Sequence, residues 1–157
     1  MVDVAYIALG SNLGDRSAHL ARARAALAAL TGSRIVGASA VEETAPIGPV
    51  PQPAYLNQIV ALETSLAPHA LLDALLAVEA AEGRTRSVRW GSRTLDLDIV
   101  DFDRQRVSSP SLIVPHPELP NRSFWQRELA AARTAAHENS HETSRSDDRT
   151  ADTANDA

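Results

Sequence analysis

Asp96 and Asp98, spaced through the alternating run Leu95-Asp96-Leu97-Asp98-Ile99-Val100, are the residues whose types and spacing most clearly fit chemistry. On a strand, Leu95, Leu97 and Ile99 share one face and the two carboxylates share the other. Side chains two apart on a strand stand about 7 Å from each other at the backbone. Carboxylates that close repel unless a cation lies between them. Just upstream, Arg84, Arg86, Arg89 and Arg93 fall within ten residues. Hard oxygen donors for a metal beside guanidiniums for phosphate are the chemistry of a nucleoside triphosphate site. Either half alone is ordinary, since Asp-x-Asp on an amphipathic strand is commonly a solvated face. Their junction through a Trp90-Gly91 loop moves the reading towards function.

The composition narrows the choices. A chain of 157 residues supports one domain and one core. The net charge of −5 argues against nonspecific nucleic-acid binding as the main role. Every basic residue other than histidine is arginine; lysine is absent. That excludes a P-loop nucleotide site and a Schiff-base lysine. The absence of cysteine excludes disulfides, thiolate nucleophiles and cysteine-ligated zinc. No signal peptide or membrane span is evident, so a cytoplasmic protein is expected.

The elements that must position these groups follow in order. Val2 to Leu9 reads as a buried strand, and Gly10-Ser11-Asn12-Leu13-Gly14-Asp15 as a turn with Asp15 as the N-cap of a helix. That helix, Arg16 to Leu30, carries Leu20, Ala23, Leu27 and Leu30 on one face. Arg34 to Glu43 is a second strand, and the proline-rich stretch Thr44 to Pro53 a loop, either a mobile lid or a rigid rim. Tyr55 to Thr64 alternates as a third strand, with Tyr55 and Asn57 on one face. A second helix starts at Pro68 and runs to about Glu82, burying Leu71, Leu72, Leu75, Leu76 and Val78, and Gly83 ends it. Leu95 to Phe102 is the fourth strand, with a hairpin partner from Val107. His116, between Pro115 and Pro117, is expected on an extended, exposed backbone. Asn121 to Ala136 is a weak helix. From Thr134 the composition turns polar, so residues 134–157 are expected to be a disordered tail behind a domain spanning 1–133. The order strand, helix, strand, strand, helix, strand is the split βαβ pattern. It predicts an α+β, ferredoxin-like core: an antiparallel sheet with helices packed on one face. That fold by itself argues no activity.

The string Arg-Trp-Gly-x-Arg-Thr-Leu-Asp-Leu-Asp-Ile from Arg89 to Ile99 resembles the central motif of the 6-hydroxymethyl-7,8-dihydropterin pyrophosphokinases of folate synthesis. The resemblance spans roughly Val4 to Phe124, with further anchors at Gly10 to Asp15, Thr44 to Asn57 and Pro115 to Phe124. It implies an enzyme that transfers diphosphate from ATP to the hydroxymethyl group of the pterin and releases AMP, as a monomer with two Mg²⁺ ions. Carried over by position, Asp96 and Asp98 hold the metals. Arg84 and Arg93 are catalytic, as is Asp98, the candidate general base. Glu79, Arg86, Arg89, Ile99, His116 and Arg122 serve the nucleotide. Tyr55 and Phe124 sandwich the pterin, Asn57 bonds its amide-like edge with Thr44 and Ile47 nearby, and Trp90 closes over the site. After Phe124 the sequence departs from the family: Trp125-Gln126-Arg127-Glu128-Leu129 stands where an apolar segment is usual, so part of the C-terminal core is expected to be replaced or missing. Two other readings explain part of the pattern. A two-metal nucleotidyltransferase accounts for the acids and arginines but not for Tyr55, Asn57 and Phe124. A noncatalytic nucleotide- or pterin-binding relative leaves the retained Asp96, Asp98, Arg93 and His116 without a reason.

Overall fold

The computed structural model describes residues 1–83 and 94–151, with side chains described through residue 140. Its elements are β1 (Asp3–Ser11), α1 (Arg16–Ala28), β2 (Ser33–Ala38), β3 (Glu42–Thr44), β4 (Tyr55–Thr64), α2 (Pro68–Ala81), β5 (Asp96–Phe102), β6 (Val107–Ser108), β7 (Ile113–Val114), a 3-10 turn at Leu119–Asn121 and α3 (Ser123–Ala151). The main sheet has the order β2-β4-β1-β5, with β3 also paired to β4. The described pairings within it are antiparallel. This is the split βαβ arrangement that the sequence predicts.

The central strand β1 is buried along almost its whole length because both of its faces are covered. Ala5, Ile7 and Leu9 point into a cluster with Leu20, Ala23 and Leu27 of α1, Leu71 and Leu75 of α2, and Leu97 and Ile99 of β5. Each Leu withdrawn from water in this way contributes about 1.5–3 kcal/mol. Asp15 caps α1 as expected, its carboxylate accepting from the Ala18 N–H at 3.1 Å. Leu76, expected on the core side of α2, is instead 39% exposed. Adjacent Leu75 takes the inward position, and a helical residue one step on is rotated by about 100°. The strand expected over 34–43 is divided, with β2 ending at Ala38 and β3 beginning at Glu42. Ser39 sits in the break, where its hydroxyl accepts from the Ile59 N–H at 3.0 Å. Val107 begins a strand, but β6 pairs with β7 in a separate two-stranded sheet.

The helices do not all lie on one face. Tyr6 and Ala8 of β1, Ile59 and Ala61 of β4, and Val100 of β5 form a second cluster on the opposite side, covered by Trp125, Leu129 and Ala132 of α3. The segment that departs from the family pattern therefore supplies its own core. The last helix runs past the expected boundary at 134. α3 continues to Ala151, and Asn139 Nδ2 donates to the Val36 carbonyl at 2.6 Å. Alanine needs little apolar area when a backbone comes directly against it. Gly37 of β2 supplies that contact: a Cβ there would lie 2.6 Å from Ala136 N and 2.9 Å from Ala132 O. Arg133 fastens the middle of α3, pairing with the buried Asp101 carboxylate and placing its guanidinium 4.9 Å from the centre of the Tyr6 ring.

Candidate active site

Strand register assembles the site. Gly10 of β1 pairs with Asn57 of β4 on one side and with Asp96 of β5 on the other, and Ala8 pairs with Asp98. Asn57, Gly10 and Asp96 thus form a row across three strands, with the outer two about 10 Å apart at the interstrand spacing. Thr44 of β3 pairs with Tyr55 of β4 at the sheet's end. These residues lie beneath the start of α3 and line a cavity of about 240 Å³ with Ile47, Arg122, Phe124 and Trp125. Gly10 is its floor: a Cβ there would sit 3.4 Å from Asn57 Oδ1 and 3.5 Å from Tyr55 Cδ1.

The cavity has an aromatic half and a charged half. Tyr55 and Phe124 supply flat apolar faces, and the Asn57 amide is oriented by donating from Nδ2 to the Thr44 hydroxyl. The rim loop 45–54 is tied down at its far end. Asn12 Nδ2 donates to Gln52 Oε1 at 2.8 Å and to the Pro53 carbonyl at 3.0 Å, and Arg16 donates to the Ala54 carbonyl at 2.8 Å. The Gly10–Asp15 turn therefore braces the loop as well as starting α1.

Asp96 and Asp98 share the charged half. Their alternation with the buried Leu95, Leu97 and Ile99 is as the sequence predicts. Both carboxylates line the cavity, and among the described residues no group of three or more His, Cys, Asp or Glu side chains gathers to hold a metal. A pair of carboxylates suits Mg²⁺, which keeps waters and takes further oxygens from substrate phosphates. His116 Nε2 lies 3.8 Å from Asp98 Oδ1. Its Nδ1 accepts the Glu118 N–H at 3.0 Å, which leaves the proton of the neutral ring on Nε2, aimed at the charged half. Burial, followed by the positive Arg122, holds the His116 pKa below its ordinary value, with Glu118 opposing. His116 is therefore a neutral hydrogen-bond donor near pH 7. Its side chain is 25% exposed, less open than a histidine between two prolines is expected to be, because Trp125 packs against it.

The structure brings Thr44, Ile47, Tyr55, Asn57, Asp96, Asp98, Arg122 and Phe124 to one cavity, with His116 beside it. Two residues assigned to the nucleotide are not among those lining this cavity. Glu79 is buried on α2, where Oε2 accepts the Leu97 N–H at 3.0 Å, and Ile99 points into the first core cluster. Glu79 thus bears on the site through the strand that carries the acids. Arg84, Arg86, Arg89, Trp90 and Arg93 lie outside the described residues. Gly10 as a floor and Trp125 as a wall were not legible in the sequence, since each depends on which strands and helices meet.

A profile described as 7,8-dihydro-6-hydroxymethylpterin-pyrophosphokinase (HPPK) matches residues 6–134. The chain belongs to this family. It is 45% identical over 130 residues to the 2-amino-4-hydroxy-6-hydroxymethyldihydropteridine pyrophosphokinase of Bacillus subtilis (strain 168), covering 83% of this chain and 78% of the relative. It is also 45% identical over 120 residues to the enzyme of the same name from Methylorubrum extorquens, covering 76% of each. Among solved structures, one described as HPPK-DHPS in complex with substrates superposes with a TM-score of 0.62 at 12% identity, over 88% of this chain and 43% of that one. At that identity the likeness concerns the fold alone, and this chain spans less than half of the larger protein.

One further pair of acids links β3 to α3. Glu128, one helical turn beyond Phe124, is 3% exposed, and among the described residues neither of its buried oxygens meets a hydrogen-bond donor. It faces Glu42, the β3 residue paired with Asn57. Burial, with the neighbouring Glu42 carboxylate adding to it, pushes Glu128 up to about 9, while the Glu42 carboxyl, beside Glu128 and Arg127, is lowered. The unfolded chain releases the Glu128 proton near 4.5, so this contribution to stability is full below pH 4.5 and is lost as pH rises towards 9. Glu128→Gln keeps a donor at all pH values. It is expected to raise the melting temperature at pH 8.5 by roughly 4–8 °C, about 2 kcal/mol, with little change at pH 5. Equal melting curves for the two proteins at pH 8.5 would show that Glu128 is not held as a neutral acid.

Proposed function

We propose that this chain transfers diphosphate from ATP to the hydroxymethyl group of 6-hydroxymethyl-7,8-dihydropterin. The observation that carries the reading is one cavity in which Tyr55, Asn57 and Phe124 lie beside Asp96 and Asp98. The aromatic faces and the oriented amide fit a flat heterocycle with an amide-like edge. The acids and arginines fit the triphosphate.

In the reaction, the pterin hydroxyl oxygen forms a bond to the β-phosphorus of ATP. The bond from that phosphorus to the α,β-bridging oxygen breaks, AMP leaves, and the hydroxyl proton is released. Asp96 and Asp98 would hold two Mg²⁺ ions, which when bound neutralise charge on the phosphate oxygens. His116 and Arg122 donate hydrogen bonds to phosphate, with Arg84, Arg86, Arg89 and Arg93 as further cations. Asp98 would take the hydroxyl proton. Tyr55 and Phe124 fix the ring so that the hydroxymethyl arm meets the phosphate in line, and orientation of this kind supplies much of the rate.

The test is AMP formation from Mg²⁺ and ATP, with and without 6-hydroxymethyl-7,8-dihydropterin. AMP and pterin diphosphate are expected to appear in equal amounts and only with the pterin. Release of inorganic pyrophosphate would instead identify a nucleotidyltransferase, and nucleotide binding without turnover a noncatalytic relative.

A further inference from the structure

Trp125 has two surfaces with different neighbours. One belongs to the second core cluster, beside Tyr6, Val100 and Leu129. The other lines the cavity. The Arg122 guanidinium carbon lies 4.2 Å from the Trp125 ring centre. The His116 ring meets it edge-on, with centroids 4.9 Å apart and planes at 84°. Arg122 Nε is buried and, among the described residues, has no hydrogen-bond partner. An aromatic face attracts a guanidinium and sets its plane without occupying its N–H groups. Those donors stay available for an anion. His116 is fixed by its own backbone, whose N–H donates to the Val100 carbonyl at 2.8 Å, and by the Glu118 N–H on Nδ1. Trp125 packs edge-on against the ring held in this orientation.

We propose that Trp125 is a positioning residue, whose ring fixes Arg122 and His116 in the orientation that receives the phosphates. This rests on the pyrophosphokinase reading for the identity of the ligand. The geometric part is independent of which bond is broken. A buried Trp at the start of α3 thereby links the seat of that helix on the sheet to the phosphate half of the cavity.

Trp125→Phe and Trp125→Met separate the ring from its bulk, because both fill part of the space and only Phe offers a π face. Their affinities for α,β-methylene-ATP with Mg²⁺ are measured by calorimetry, alongside melting temperature and the KM and kcat of the pterin reaction. Trp125→Met is expected to bind the nucleotide about tenfold more weakly than wild type, and Trp125→Phe within about threefold of it. In an Arg122→Ala, His116→Ala background, replacing Trp125 by Met should change nucleotide affinity little further, while its effect on melting temperature persists. Equal affinities of the Phe and Met enzymes would overturn the proposal, as would an undiminished Trp125→Met effect in the double-alanine background. Trp125→Leu replaces Trp125→Met in the same comparison if the Met enzyme does not fold. Wild-type AMP release reports separately on the reaction. Its absence, with the binding results intact, would end the pyrophosphokinase reading and leave the role of Trp125 standing.

Discussion

Asp96→Asn and Asp98→Asn are each expected to lower turnover by about 10³-fold while leaving the fold in place. An Asn retains the shape and one carbonyl oxygen but loses the charge that holds a hard cation. Removing one preorganised charge contact from a phosphoryl-transfer site costs on the order of 3–4 kcal/mol in the transition state. The fold survives because burial of β5 rests on other residues. Leu95, Leu97 and Ile99 fill the first core cluster, whereas the Asp98 side chain is 42% exposed. Melting temperatures are expected within a few degrees of wild type. The measurement is AMP formation over a magnesium titration, with circular dichroism of each variant. Wild-type turnover by either variant at saturating magnesium would remove that carboxylate from the metal site.

Gly37→Val is expected to destabilise the protein by roughly 2–3 kcal/mol, a fall of about 5–10 °C in melting temperature. The new Cβ would fall 2.6 Å from Ala136 N, 2.9 Å from Ala132 O and 3.0 Å from Ala136 Cα. All three atoms are backbone, so no side-chain rotation relieves the contact. The helix must lift from β2, or the strand must bend. Ala136→Gly should not restore stability, since the obstruction does not involve the Ala136 side chain. Because α3 begins with Phe124 and Trp125, lifting it should also weaken pterin binding, which a calorimetric titration would read. A Gly37→Val protein as stable as wild type would mean that α3 does not rest on this strand.

Periodicity was enough to place most of the scaffold. The ten alternating residues of β4, the Asp15 cap and the proline start of α2 are local signals, settled within a few residues of chain. The strand and helix order also implied the split βαβ topology, because short connections leave few ways to pair four strands. Asp96 and Asp98 were legible for a similar reason: period-two alternation turns both away from the core whatever lies opposite. The acids and the arginine cluster likewise pointed to a nucleotide, and the family resemblance of the central motif implied a pterin.

What the sequence left undecided depends on contacts between distant segments. Gly10 reads as a turn residue, yet it is the floor of the cavity, because register sets it between Asn57 and Asp96. Nothing in the sequence singles out Glu128, yet the seat of α3 buries it against Glu42. Gly37 reads as one more strand residue, yet a Cβ there would meet the α3 backbone at Ala132 and Ala136. Local propensity depends on neighbours in the chain, and the sequence alone determined the strands, the helices and the paired acids. Burial depends on neighbours in space, and only the tertiary structure decided which face α3 would cover, and so which residues wall the site.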